Sequence, residues 1–163
     1  MKNQQIKTLL FIAMSFTLLT SCDEGGDPKA GGTTTEKFAG DWHIIVLDSD
    51  GVPLTNYGLF TTYNAASNDE NFWIDDDDKK IKKKTKVQVN DFNNLTFSAT
   101  NSEELYLGDN VNITNGKILK NAAHSFAGHV VDSIYFEVEY VDDPGTIYKL
   151  AGHRRTGFLE DEL

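Results

Sequence analysis

The sequence predicts an all-β domain, a single antiparallel up-and-down barrel of about eight strands, with a β-sandwich as the alternative. Three observations predict it. Apolar and polar residues alternate with a period of two in segment after segment, as a half-buried strand requires. Turn dipeptides separate these segments at short intervals. Only two short stretches, 102–107 (SEELYL) and 118–126 (ILKNAAHSF), read as helix.

Each element has its own justification. Residues 38–47 (FAGDWHIIVL) are β-branched and aromatic, and Asp50-Gly51 then offers a tight turn. Segments 57–63 (YGLFTTY) and 71–75 (NFWID) follow. In 80–90, Thr85, Val87 and Val89 share one face while Lys84, Lys86 and Gln88 share the other. Leu95, Phe97 and Ala99 alternate with Thr96, Ser98 and Thr100. Val111 and Ile113 precede Asn115-Gly116, the strongest hairpin dipeptide in the chain, so a turn is expected there. In 130–141, Ile134, Phe136, Val138 and Tyr140 point inward against Tyr135, Glu137 and Glu139. The run 142–145 (DDPG) turns the chain, and 146–156 returns it.

Closing such a meander removes its exposed edges, and eight strands leave an interior that side chains fill or that holds one small ligand. The alternation gives the inward set as Phe72, Ile74, Val87, Val89, Leu95, Phe97, Val111, Ile113, Ile134, Phe136, Val138 and Tyr140. Whether these residues pack solid or line a vacancy is open at this level.

The barrel domain is expected over 37–163. Before it, Lys2 and Lys7 flank a short positive opening, and the apolar run 8–19 is too short to span a bilayer, which takes about 20 residues. Residues 1–21 therefore read as a signal peptide. Leu19-Thr20-Ser21-Cys22 resembles the lipobox of bacterial lipoproteins, which implies that Cys22, the single cysteine, becomes a lipid-modified N-terminus. Residues 22–36 then form a flexible tether of Gly, Thr and charge with a reach of about 20 Å. Asp23-Glu24 resembles the acidic export signal of Bacteroidetes lipoproteins, implying an outer-membrane, surface-exposed location; in enterobacteria an Asp there would imply inner-membrane retention.

Charge excludes some partners. The formal charge is −10, with 25 acidic against 15 basic residues, and the expected signal removes two of the lysines. That balance argues against nucleic acid and against a polybasic grip on anionic lipid. Membrane attachment would rest on acyl chains. With one cysteine, the domain holds together by core burial and no disulfide.

Gly40-Asp41-Trp42 opens the first strand, and Arg154-Arg155 lies in the last. This resembles the Gly-x-Trp and late-Arg pairing of lipocalins and other calycins, which implies that Trp42 closes the barrel floor with Arg154 or Arg155 across its face. The sequences Phe38-Ala39-Gly40-Asp41-Trp42 and Gly152-His153-Arg154-Arg155-Thr156-Gly157-Phe158 together resemble a lipocalin-like family of small Bacteroidetes lipoproteins, the lipid-binding putative hydrolases. The resemblance implies a membrane-anchored barrel that binds a small hydrophobic or lipid-like ligand. The candidate lining is Phe72, Ile74, Val87, Phe97, Phe136, Val138 and Tyr140.

The residues offer little else in the way of chemistry. No Gly-x-Ser-x-Gly turn presents a nucleophile, and the family supplies no catalytic motif to carry over. Ser125 has His124 beside it, but neighbours on a strand face opposite ways. No catalytic residue, metal ligand or cofactor is assigned. His124 and His129 lack helical zinc spacing, and the run Asp75 to Asp78 lacks the interleaved glycine of a Ca²⁺ loop. That run, with Lys79-Lys80 after it, reads as a solvated hairpin tip. His43 and His153 read as strand-surface or barrel-mouth residues. Asp132-Ser133-Ile134 resembles a short O-glycosylation motif of Bacteroidetes. Two alternatives to ligand binding stay open: a lipid or ester hydrolase with its site at the mouth, and a solid barrel whose surface binds a protein or glycan.

Overall fold

The computed structural model describes residues 31–77 and 83–163. The expected signal peptide, Cys22 and most of the tether lie outside the described residues, as does Asp78. Eight strands follow one another: β1 (Gly40–Leu47), β2 (Gly58–Asn64), β3 (Asn71–Asp75), β4 (Lys84–Asp91), β5 (Thr96–Glu103), β6 (Asn110–His124), β7 (Val130–Tyr140) and β8 (Ile147–Arg154). Short 3-10 turns at Glu36–Phe38 and Leu159–Asp161 flank them.

Each strand pairs antiparallel with the next, and β8 pairs back onto β1 from Trp42↔Arg154 to Leu47↔Lys149. The sheet is therefore a closed up-and-down barrel, not a sandwich. Alternation selects the faces: β4 reads intermediate, buried, exposed, buried, exposed, buried from Lys84 to Val89, and Thr85, Val87 and Val89 turn inward together.

The two stretches read as helix are not helical. Residues 118–124 continue β6, with Ile118 opposite Ile134 and Leu119 opposite Ser133. The partner segment 130–135 is β-branched and supplies the ladder, so pairing overrides a weak local preference. Ser102 and Glu103 end β5, and a turn follows from Glu104, whose carboxylate accepts the backbone N–H groups of Lys84, Tyr106 and Leu107.

Asn115-Gly116 is not a hairpin turn either. It lies inside β6 between Thr114, opposite Glu137, and Lys117, opposite Tyr135, so that Asn115 and Gly116 oppose the single residue Phe136 on β7. The dipeptide supplies a bulge, with Asn115 at φ +55°. A Cβ on Gly116 would sit 2.5 Å from the Phe97 ring and carbonyl, so the bulge can close only over glycine.

The end of the expected tether is docked. Thr34 gives its N–H to Asn68 Oδ1 and its hydroxyl to the Asn68 carbonyl, and Thr35 is buried. The compact unit runs from Gly32 to Leu163. One barrel end carries the β2–β3, β4–β5 and β6–β7 loops and the chain entry; the other carries the β1–β2, β3–β4, β5–β6 and β7–β8 loops.

Candidate functional site

The interior is built from the inward residues of all eight strands. Phe72, Ile74, Phe97, Val111, Ile113 and Phe136 are fully buried, and Val87, Ile134 and Val138 are within 1 % of it. Trp42, Ile44, Val46, Phe60 and Leu150 join them. With no surface that a water-sized sphere can reach, these side chains pack on one another: Phe72 meets Phe97 edge-on at 5.2 Å, and Phe97 meets Phe136 at 6.0 Å. Each expected inward residue is inward or in the core. Leu95 reaches it from the β4–β5 turn at φ +50°, and Tyr140 is only half-buried.

The end where the chain enters is plugged. Phe38 stacks on Phe72 at 5.0 Å and meets Phe92 and Phe97 edge-on. Trp42 gives its indole N–H to Thr62 Oγ1 at 2.9 Å, and that hydroxyl is donated to the Phe38 carbonyl at 2.5 Å. Arg154 lies over the Trp42 ring at 4.6 Å, donates to the Ala39 carbonyl through both terminal nitrogens, and has Nε 3.2 Å from Asp132. Arg155 does not take this role. One residue further along the strand it falls on the outer face, paired with Glu162 at 2.8 Å and near Asp41 at 3.6 Å.

At the opposite end, the mouth, buried charge replaces buried aromatics. Lys83, Asp76 and Glu104 are all fully buried. The Lys83 ammonium sits 4.0 Å from the centre of the Tyr140 ring and meets no hydrogen-bond partner among the described residues. Burial lowers its pKa, while Glu104, Asp109 and Asp76 pull it back up. Burial, then Glu104, push the Tyr140 hydroxyl up to about 12. Tyr148 meets Tyr140 edge-on at 6.1 Å. Around this end the loops expose Val52, Leu54, Leu105, Leu107 and Val141, with Ile147 opening β8.

The aspartate run is more than a solvated tip. Asp75 receives the Tyr63 hydroxyl at 2.7 Å, the Tyr106 hydroxyl at 2.6 Å, and the Lys84 ammonium at 2.8 Å. Burial alone would raise its pKa; Lys84 and the two tyrosines instead hold it at about 2. Asp76 accepts the Lys83 N–H. Only Asp77, among the described members of the run, is exposed. A block of like charges gave no sign that Asp75 gathers partners from β2, β4 and the β5–β6 turn on the outer face, or that Asp76 beside it is buried.

His43 and His153 are outward-facing yet buried. They are cross-strand partners with rings 5.4 Å apart, and the β6–β7 hairpin folds Phe126 over both. Tyr57 completes the box. Ser125 is held in that hairpin's turn. Its Oγ accepts the His129 N–H at 3.0 Å, and its hydroxyl bonds Asp161. Asp161 also receives the Ala127 N–H and the Thr156 hydroxyl. His124 is exposed on the neighbouring position, so the adjacent Ser-His pair does not form a nucleophile and base.

The family model described as lipid-binding putative hydrolase matches residues 27–159. The chain belongs to the lipid-binding putative hydrolase family. The match spans every strand, and a closed barrel with an apolar interior fits a lipid-binding role. No curated protein matches the chain.

Proposed function

We propose that this family member is an envelope lipoprotein, anchored through Cys22, whose barrel takes up a small hydrophobic or lipid-like ligand through the mouth. The apolar rim carries this reading. Six large apolar side chains, Val52, Leu54, Leu105, Leu107, Val141 and Ile147, stand in solvent at the end that Phe38 does not plug. The loops and the start of β8 that carry them all lie at that one end, where an apolar ligand or surface would remove them from water. Just beneath them lie the half-buried Tyr140 and Tyr148, then the apolar wall of Ile74, Val87 and Val138.

The interior is filled in the described conformation. Uptake therefore requires Tyr140, Tyr148 and the Lys83 side chain to move aside, and these have looser holds than the plug. Lys83 is the weakest member, an ammonium in a dry site with no hydrogen-bond partner among the described residues. The ester-hydrolase alternative has no comparable support, since Ser125 is committed to a turn. The acyl anchor and the outer-membrane location rest on the lipobox-like sequence and the acidic pair after Cys22.

Purified protein extracted with organic solvent should release lipid, and cis-parinaric acid should gain fluorescence on binding. Leu105→Asp with Leu107→Asp should weaken that binding about tenfold without changing stability. If no lipid copurifies and cis-parinaric acid gives no saturable signal, the interior-binding reading fails.

A further inference from the structure

The outer wall carries a groove that the interior does not use. It has a volume of about 600 Å³ and is lined by Asn90, Thr96, Asn115, Lys117, Tyr135 and Glu137, with Phe97 and Gly116 at its base. The β6 bulge creates it: the extra residue at Asn115-Gly116 breaks the ladder to β5 and β7 together and opens a depression in an otherwise even wall. A second depression of about 270 Å³ lies beside it, lined by Asn71, Lys86, Gln88, Ser98, Thr100 and Ser102. The Ser98 hydroxyl donates to Asn90 Oδ1 at 3.0 Å, joining the two.

We propose that this groove binds a neutral oligosaccharide, one sugar face on Tyr135 and the chain continuing toward Gln88. Four features select that chemistry. Asn71, Asn90, Asn115 and Gln88 each offer an adjacent donor and acceptor, matching the paired hydroxyls of a sugar ring. Tyr135 supplies an aromatic plane for the C–H face. Its hydroxyl is donated to Glu137 at 2.6 Å, and Asn115 Nδ2 donates to the same carboxylate at 2.8 Å. These bonds hold Glu137 below the usual carboxylate range, so it stays an acceptor in fixed position. Lys117 places its ammonium 5.4 Å from the Tyr135 ring centre, and Lys149 is the cation that acts on Glu137.

The second depression repeats the amides and the lysine but has no aromatic in its lining; Trp73 lies next to it, its ring centre 5.0 Å from Lys86 Nζ. Two amide-lined depressions side by side fit a ligand of several sugar rings better than a single compact one. A lipid would bury these amides without partners, at about 1–3 kcal/mol for each unsatisfied group. An anionic glycan would meet a protein of charge −10. The groove lies on the wall's outside, so this site is independent of ligand uptake through the mouth.

The test uses the full-length protein in a polyoxyethylene detergent, which contributes no sugar. An array of neutral oligosaccharides (gluco-, xylo-, manno- and galacto-series, with neutral mucin cores) is followed by calorimetry with the tetrasaccharide that binds best. We expect saturable binding that falls at least tenfold in Tyr135→Ala and in the double variant Asn90→Ala, Asn115→Ala. Tyr135→Phe should retain binding to within about threefold, because the ring stays. Binding of cis-parinaric acid should be unchanged in all three. Absence of saturable binding by every neutral glycan overturns the proposal. So does binding that survives Tyr135→Ala, selection of acidic glycans alone, or a protein partner competing for the groove with no sugar bound.

Discussion

The two ends of the barrel are held together by different physics. At the plugged end, neutral aromatics do the packing, and the polar groups among them are mostly tied down: the Trp42 indole on Thr62, the Thr62 hydroxyl on the Phe38 carbonyl, the Arg154 terminal nitrogens on Ala39. Thr35 Oγ1 and Arg154 Nε make no hydrogen bond among the described residues. At the mouth, fully buried Lys83, Asp76 and Glu104 occupy the interior, and Lys83 Nζ has no hydrogen bond among the described residues. A packed aromatic plug has one low-energy arrangement. Buried charges with incomplete pairing sit nearer to alternatives, because water or a ligand entering relieves part of their desolvation. The difference marks one end as scaffold and the other as the place where the barrel can change.

The largest expected effect tests that contrast directly. Trp42→Ala removes a fully buried ring, its N–H bond and the surface under Arg154, and should cost about 3–5 kcal/mol. Tyr140→Ala, at the half-buried mouth position, should cost no more than about 2 kcal/mol. Urea melts of both variants give the comparison. Equal losses would mean that the ends are equally structural, and a loss under about 1 kcal/mol for Trp42→Ala would contradict its place as the floor of the barrel.

The next effect separates the ends by pH. Asp75 clamps the outside of the mouth, its carboxyl held at about 2 against an ordinary aspartate value of 3.8. A folded pKa below the unfolded one gives stability that is present above pH 4 and lost as pH falls through 2. The side chain is 12 % exposed, so screening is modest and the contribution is about 2 kcal/mol. Asp75→Asn should lose this amount at pH 7 and show a flatter stability curve between pH 4 and pH 2. Parallel curves for the two proteins across that window would show that Lys84, Tyr63 and Tyr106 do not act through the Asp75 charge.

How much of this was legible in the sequence follows the same division. The strands and their inward set could be read because period-two alternation is local and repeats in nearly every segment; closure rather than a sandwich, with Trp42 at the floor, was an expectation carried by the calycin resemblance of Gly40-Asp41-Trp42 and Arg154-Arg155. Arg154 could not be separated from Arg155 until the register was known, since a shift of one residue exchanges the faces. Asn115-Gly116 was misread because a positive φ serves a bulge as well as a turn, and the choice depends on whether the next segment reverses. The mouth was hardest to read. Asp75 draws on Tyr106, and Lys83 on Tyr140, across long sequence separations, and neither pairing leaves a local pattern. The groove on β4 to β7 was hidden for the same reason: Asn90, Asn115 and Tyr135 share a site only once three strands are aligned.

The smallest effect concerns the outer layer behind the plug. His43 and His153 are buried side by side under Phe126, and His43 Nδ1 and His153 Nε2 have no hydrogen-bond partner among the described residues. Burial lowers both pKa values from 6.5. For His43, Glu162, Asp161 and Asp41 pull upward and Arg155 downward; for His153, protonated His43 pushes further down and Asp161 pulls up. The unfolded chain therefore takes up protons before the folded one does. Stability is complete above about pH 7 and declines as pH falls below 6.5, well above the window in which Asp75 titrates. Thermal melts from pH 7.5 to pH 5 should show this decline, and His43→Phe with His153→Phe should flatten it, because two neutral rings keep the box without a titrating group. If the slope persists in the double variant, the plugged end owes nothing to the neutral histidine pair and the acid response of the whole barrel belongs to its carboxylates.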